Sequence, residues 1–143
     1  MKKIAILFLA ITASVFTTSC DSDDDAGSVS IQGNWKLTAE SEGGVPDVLD
    51  ACELEQTISF TATTGNLRAL DDDTPPCTYE TVPFTYTVSG TNITITINDI
   101  ITATLQGVIE ELTTTSLRFR IISDSFQGVY DPQDISISTY VRQ

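Results

Sequence analysis

The sequence of 143 residues contains no histidine, and this absence excludes several kinds of catalytic and metal site. Without an imidazole, the chain cannot build Ser-His-Asp or Cys-His catalysis or a metal site with a histidine ligand. Basic residues are also scarce: 7 lysines and arginines stand against 20 acidic residues, giving a net charge of −13. Nucleic-acid binding needs a cluster of basic side chains on the phosphates. We therefore expect no nucleic-acid partner.

Long segments with the period of an amphipathic helix are missing as well, which argues against Rossmann and TIM-barrel enzymes. The chain has three cysteines but no C-x-x-C pair. The acidic run at residues 71–73 lacks the spaced ligand pattern of a calcium-binding loop. We therefore expect no enzymatic activity, no catalytic residues, no metal site and no cofactor.

The N-terminus has the pattern of an export signal. Lys2 and Lys3 precede an uncharged, mostly apolar run at residues 4–16. At ~1.5 Å per residue in a helix, this run is too short to cross a hydrocarbon core of ~30 Å. Small residues follow at 17–19, directly before Cys20. The pattern predicts a secretory signal peptide over residues 1–19.

The segment that ends at Cys20 resembles the lipobox of bacterial lipoproteins, although Thr17 stands where most lipoboxes carry leucine or valine. The resemblance implies cleavage before Cys20, a lipid on that cysteine and an anchor in the outer membrane. The alternative is ordinary cleavage near Ser19, which would leave a soluble periplasmic protein with an unpaired Cys20.

Residues 20–30 form an acidic, polar segment that begins Cys-Asp-Ser-Asp-Asp-Asp. We interpret the segment as a solvated tether, because clustered like charges repel and stay extended. It also resembles the acidic signal that sends some lipoproteins to the outer face of the outer membrane. Under a different sorting rule, Asp21 directly after the lipidated cysteine would indicate retention in the inner membrane. Both possibilities stay open.

Beyond the tether, apolar and polar residues alternate with a period of two, which is typical of β-strands with one buried face. The clearest case is a hairpin, in which segments 84–88 and 93–97 alternate around the turn 89–92. Further strands are predicted at 35–37, 58–60, 67–70, 101–112 (with a break near Gly107), 117–121 and 135–141.

About eight strands with short polar connections predict an all-β fold built from one antiparallel sheet. Such a sheet must close on itself or pack on a second sheet. An up-and-down eight-stranded barrel and a β-sandwich both meet this requirement, and periodicity does not choose between them. One longer connection, at residues 41–54, could form a helical turn at 47–51 with Asp47 as its N-cap.

The start of the first strand, Gly33-Asn34-Trp35, resembles the G-x-W motif of lipocalins. With Cys52, Cys77 and the closing Tyr140-Val141-Arg142, residues 31–143 are similar to the small lipocalin-like domains of bacterial outer-membrane lipoproteins. The resemblance implies an eight-stranded lipocalin-like barrel. Trp35 would close its floor, and Gly33 would let the entering chain pass close to the barrel. Arg142 could stack on Trp35, but we favour a frayed terminal charge.

The three cysteines of an exported chain divide naturally into one lipid acceptor and one pair. With Cys20 carrying the lipid, Cys52 and Cys77 are left to form a disulfide in an oxidising compartment. This bridge would join the 41–54 connection to the acidic segment before the fourth long strand.

Two functions remain open for a barrel of this kind. It could bind a small hydrophobic or amphipathic ligand through inward-facing residues such as Phe84, Tyr86 and Phe119. Alternatively, a solid barrel could act as a structural or accessory protein that docks an outer-membrane partner. Phe126, Val129 and Tyr130 lie on a loop that could make this contact, although we favour packing of that loop across a barrel end. We expect a monomer in either case.

Overall fold

The computed structural model describes residues 29–98, 102–131 and 134–143, which form one antiparallel sheet of ten strands. The predicted signal peptide, Cys20 and most of the predicted tether lie outside the described residues.

Eight long strands and two strands of two residues make up the sheet. In chain order they are β1 (Gly33–Glu42), β2 (Val45–Pro46), β3 (Thr57–Phe60), β4 (Thr64–Asp72), β5 (Thr78–Ser89), β6 (Asn92–Asn98), β7 (Thr102–Leu112), β8 (Ser116–Asp124), β9 (Gly128–Val129) and β10 (Ser136–Arg142). A short 3-10 helix, Glu53–Glu55, precedes β3.

The long strands form a closed barrel. Each pairs with the next long strand in the chain, and β10 pairs with both β8 and β1. Closure leaves no long edge strand exposed. The up-and-down eight-stranded barrel that the resemblance to lipocalins implied is therefore confirmed, and the β-sandwich that the alternation left open is excluded.

Local sequence signals account for two irregular points of the sheet. The β5–β6 hairpin turns at Gly90, whose positive φ of 62° suits a residue without a side chain. The predicted break in β7 is a register shift between Gln106 and Gly107. A Cβ on Gly107 would lie 2.6 Å from the backbone oxygen of Arg120, so the strands approach too closely there for any other residue.

The helical turn predicted at 47–51 is wrong. The turn forms instead as a 3-10 helix at Glu53–Glu55, with Cys52 at its N-cap position and Asp50 just before it. An Asp50 carboxylate oxygen accepts hydrogen bonds from the backbone N–H groups of Cys52 at 2.7 Å and Glu53 at 2.9 Å. Asp47 begins no helix, and its own N–H donates to the Glu40 carbonyl at 2.9 Å, which holds this part of the connection against β1.

The barrel has two distinct ends. At the Trp35 end, where β1 begins, short turns join the strands at residues 61–63, 90–91 and 113–115. At the opposite end, called the distal end here, the longer connections run from β1 to β3 and from β8 to β10. Inward side chains pack between the two ends. The buried core consists of Ile31, Trp35, Leu37, Ile58, Phe60, Phe84, Tyr86, Ile93, Ile95, Ile109, Leu117, Phe119 and Tyr140.

Candidate functional site

The Trp35 end of the barrel is closed by an indole ring that is 0% exposed. The ring nitrogen donates a hydrogen bond of 2.8 Å to the carbonyl of Ile31, so the polar end of the side chain is satisfied. The guanidinium carbon of Arg142 lies 4.3 Å from the centre of the ring, which is cation–π distance. Arg142 therefore stacks on Trp35, and the frayed terminal charge that we favoured is wrong.

Arg142 also holds the entering chain. Its two terminal nitrogens donate to the carbonyls of Gln32 at 2.9 Å and Ser30 at 2.8 Å. Gly33 has a φ of +137°, and a Cβ there would lie 2.7 Å from one of these nitrogens. Gly33, Trp35 and Arg142 thus form one closing unit, with Gly33 allowing the close passage that the arginine needs.

A cavity of about 220 Å³ occupies the distal half of the barrel. This volume is below the range of about 300–1,000 Å³ that is usual for pockets holding drug-sized ligands, so its occupant must be small. Most of its wall is apolar. The apolar lining residues are Leu37, Ile58, Leu67, Val82, Phe84, Ile95, Ile97, Leu105, Phe119 and Ile121, joined by the ring of Tyr140.

Two of the three predicted ligand contacts reach this cavity. Phe84 and Phe119 line it, whereas Tyr86 does not. Tyr86 faces inward as predicted, but β5 runs from the distal end toward the Trp35 end, and Tyr86 comes two residues after Phe84. It packs edge-to-face on Phe60 at 5.0 Å between ring centres, and its hydroxyl donates to the Thr61 carbonyl at 2.5 Å.

Three polar side chains that no sequence pattern marked as site residues complete the cavity wall. They are Glu40 on β1, Ser138 on β10 and Gln56 just before β3. Glu40 and Ser138 are direct partners across the two strands, and the Ser138 hydroxyl hydrogen-bonds a Glu40 carboxylate oxygen at 2.9 Å. Gln56 already accepts a hydrogen bond from the backbone N–H of Leu70 at 3.2 Å.

A β-bulge explains why Glu40 faces the interior. Trp35 and Leu37 are buried, so strict alternation would continue inward at Ala39 and leave Glu40 in solvent. The register of β1 on β10 shifts between Leu37 and Ala39. This extra residue reverses the alternation, which is a known effect of a bulge on side-chain direction. Nothing in the composition of the strand marks the shift.

Burial controls the titration of the groups around Glu40. Loss of solvent raises the pKa of the Glu40 carboxyl above its ordinary value. The hydrogen bond from Ser138 opposes this rise, and the charges of Asp47 and Glu53 add to it. Burial, followed by the charge of Glu40, also raises the pKa of the Tyr140 phenol, which therefore stays neutral. The cavity thus holds one titratable group of interest, which is the Glu40 carboxyl.

The distal end is braced by the Cys52–Cys77 disulfide, with the two Cα atoms 5.9 Å apart. The pairing predicted from the cysteine count is present. The Tyr79 hydroxyl donates to the Cys52 carbonyl at 2.9 Å, next to the bridge. The connection from β1 to β3 is held in this way, and its Leu49 packs against the barrel core.

The loop after β8 does not pack across the distal end as we favoured. Phe126 is 63% exposed and Val129 is 84% exposed. An Asp124 carboxylate oxygen accepts from the backbone N–H groups of Phe126 and Gln127, both at 2.6 Å, and the chain turns back there so that β9 pairs with β8. Tyr130 is half-buried, and its hydroxyl donates a hydrogen bond to the other Asp124 oxygen.

The described residues contain neither a metal-binding cluster nor a membrane-spanning helix. No three acidic or cysteine side chains in residues 29–98, 102–131 and 134–143 are grouped so that they could hold a metal ion. In the same part of the chain, no helix is long and apolar enough to cross a membrane.

Comparison with known proteins agrees with the architecture described above. Residues 31–119 match the family model described as "Lipocalin-like domain". The crystal structure of a lipocalin-like protein from Bacteroides uniformis is similar, with a TM-score of 0.53 and 17% sequence identity over 78% of this chain and 97% of that chain. No curated protein sequence matches. The family match covers more than half of the sequence, from Ile31 before β1 to Phe119 in β8, and the chain therefore belongs to the lipocalin-like domain family.

Proposed function

We propose that this protein is a lipid-anchored lipoprotein of the cell envelope whose barrel binds a small hydrophobic or amphipathic molecule. The observation that carries the binding function is the apolar cavity of about 220 Å³ in the distal half of the barrel. Concave, largely apolar sites with a few polar groups are the usual form of small-molecule sites. Binding needs no catalytic residue, which agrees with a chain that contains no histidine.

Blocking the cavity should weaken binding. Leu105 lines the cavity, and its neighbour Gln106 is exposed on the outer face of β7. We expect Leu105→Trp to weaken binding of octanol by about tenfold or more, because the indole would occupy the ligand's volume, and Gln106→Trp to leave it unchanged. Calorimetric titration of the exported chain carrying Cys20→Ser would measure this, alongside native mass spectrometry for a co-purified ligand. A native mass without any co-purified ligand, together with no octanol binding by the protein with an unaltered cavity, would contradict a binding function.

The anchor is proposed to be a lipid on Cys20, held by the tether at residues 20–30. Ser30 and Gln32 lie at the Trp35 end, where Arg142 binds their carbonyls. A lipid on Cys20 would therefore hold the Trp35 end toward the membrane and direct the cavity away from it. The same resemblance to lipoproteins supports an outer-membrane location for the anchor. We further propose that the protein is exposed at the cell surface.

Fatty-acid labelling tests the anchor. We expect a radiolabelled fatty acid to appear on the wild-type protein and on the Cys52→Ser/Cys77→Ser variant, but not on Cys20→Ser, since a lipoprotein carries its lipid on the cysteine after the signal peptide. Cys20→Ser should also leave the membrane fraction. Label on Cys20→Ser, or none on the wild type, would refute the anchor. Protease added to intact cells then distinguishes the outer face of the membrane from the inner.

A second candidate function rests on the exposed apolar side chains of the loop after β8. Phe126 and Val129 project into solvent at the distal end, away from the proposed anchor. Large exposed apolar residues are a feature of protein contacts. If the cavity binds nothing, we propose that the barrel is an accessory protein that uses this loop to dock an outer-membrane partner.

A further inference from the structure

The cavity contains a carboxyl group and no basic side chain among the described residues. Glu40 is half-buried in its wall, and its one side-chain hydrogen bond within the described part of the chain comes from Ser138. This leaves acceptor capacity on the carboxylate, because an ionised carboxylate has about four lone-pair sites. The same side chain makes no ion pair with any described lysine or arginine.

All five basic side chains in the described residues are engaged elsewhere. Lys36 pairs with Glu55 at 2.7 Å, outside the barrel. Arg118 and Arg120 both reach Glu110, also on the outer face. The remaining two stack on aromatic rings, Arg68 on Tyr79 and Arg142 on Trp35. A ligand with a carboxylate or phosphate head would therefore meet no counter-charge in the cavity.

Negative charge also surrounds the approach to the cavity. The connection that precedes β3 carries Asp47, Asp50 and Glu53, and the end of β4 and the start of its connection to β5 carry Asp71, Asp72 and Asp73. Fixed charges of one sign around a site repel ligands of the same sign and raise the local concentration of the opposite sign. The distal end thus disfavours anions and favours cations.

An ionised Glu40 carboxylate lowers the stability of the fold unless a cationic partner compensates its loss of solvent. A carboxylate that loses solvent without a cationic partner is destabilising. The bulge in β1 nevertheless places it inside the barrel, opposite Ser138. A bound ammonium group would offset this cost by a charge-assisted hydrogen bond, which is stronger than one between neutral groups.

We propose that the ligand of this cavity is a small cationic amphiphile, with an apolar body against Phe84 and Phe119 and a protonated amine that donates to Glu40 beside Ser138. This inference rests on the proposed binding function and narrows it to one chemical class. Alkyl carboxylates are excluded from the class, and neutral alcohols bind more weakly than amines of the same length.

The test compares three probes of equal chain length: octylamine, octanol and octanoate. Each is titrated by calorimetry into the exported chain carrying Cys20→Ser, at neutral pH. We expect octylamine to bind about tenfold or more tightly than octanol, as one charge-assisted contact would give, and octanoate to bind more weakly than octanol. Octanoate binding as tightly as octylamine would overturn the inference while leaving the binding function intact. Failure of all three probes would overturn both.

Variants separate Glu40 from the general negative charge of the protein. Glu40→Gln should reduce octylamine affinity to that of octanol and leave octanol unchanged. Glu42→Gln removes an exposed carboxylate at the end of the same strand and should preserve the preference for the amine. A preference that survives Glu40→Gln, or binding of octylamine that survives Leu105→Trp, would assign the effect to surface charge and overturn the proposal.

A pH series provides a readout that does not depend on the variants. The charges near Glu40 are Asp47 and Glu53 from the preceding connection, and the neighbouring Tyr140 phenol on β10 stays neutral. Because the amine needs the ionised carboxylate, its affinity should fall as the pH is lowered through the raised pKa of Glu40, while octanol affinity stays constant. A flat octylamine profile would contradict the assignment.

Discussion

Replacing Trp35 with alanine is expected to lower the free energy of unfolding by about 3–5 kcal/mol, as is usual for removal of a large buried aromatic side chain. The side chain is fully buried, donates to the Ile31 carbonyl and carries the Arg142 guanidinium on its face. The substitution therefore removes a large packed volume together with both polar contacts. Since small domains have a total stability of about 5–15 kcal/mol, the loss is a large part of the whole.

Urea denaturation followed by far-UV circular dichroism measures this change, since the variant lacks the chain's only tryptophan. Trp35→Phe is the matched control, because it keeps an aromatic ring but loses the hydrogen bond to Ile31. It should cost about 1–2 kcal/mol. A denaturation midpoint that is the same for Trp35→Ala and wild type would refute the role of this residue as the floor of the barrel.

The second large effect is expected from the disulfide. Removing both cysteines, as Cys52→Ala with Cys77→Ala, should lower the free energy of unfolding by about 3.5 kcal/mol. This figure follows from the loop entropy of a cross-link between residues 25 apart in sequence. The bridge restrains the connection that carries Leu49, so its loss should also make this connection at the distal end more mobile. Urea denaturation followed by Trp35 fluorescence measures the change in the Cys20→Ser background, which removes the third thiol.

Reduction supplies the control for this prediction. Dithiothreitol should move the midpoint of the disulfide-containing protein to that of the double-alanine variant and should not move the variant itself. Equal midpoints for oxidised protein and variant would show that the bridge contributes nothing to stability. Because Trp35 lies at the other end of the barrel, its fluorescence reports global unfolding rather than a local change at the disulfide.

Much of the fold could be predicted because a strand with one buried face has a simple period. The segments 84–88 and 93–97 both lie in strands, with Phe84, Tyr86, Ile93 and Ile95 buried as expected and Val88 exposed near the end of β5. The G-x-W motif likewise located the first strand and the floor. Where the alternation is weaker, the predicted strand is too short: β4 extends over Thr64–Asp72, whereas the prediction covered only 67–70.

The candidate site was predicted only in part, because alternation gives the face of a residue but not its depth. Phe84 and Tyr86 face the same interior, yet only Phe84 reaches the cavity, since two residues along a strand change the depth by about 7 Å. The prediction for Arg142 was wrong because the sequence does not show a contact between residues that lie far apart along the chain. A charge next to the chain terminus looks frayed in sequence, and its partner Trp35 is more than a hundred residues away.

By itself, the sequence determined the all-β class, the alternating faces, the buried tryptophan and the pairing of Cys52 with Cys77, because these depend on local period and on residue counts. Only the tertiary structure decided that the sheet closes, because β10 must meet both β1 and β8. It also decided that Glu40 faces the cavity. One extra residue in β1 relative to β10 turns that carboxylate inward, and such a shift is a property of two paired strands that neither segment records alone.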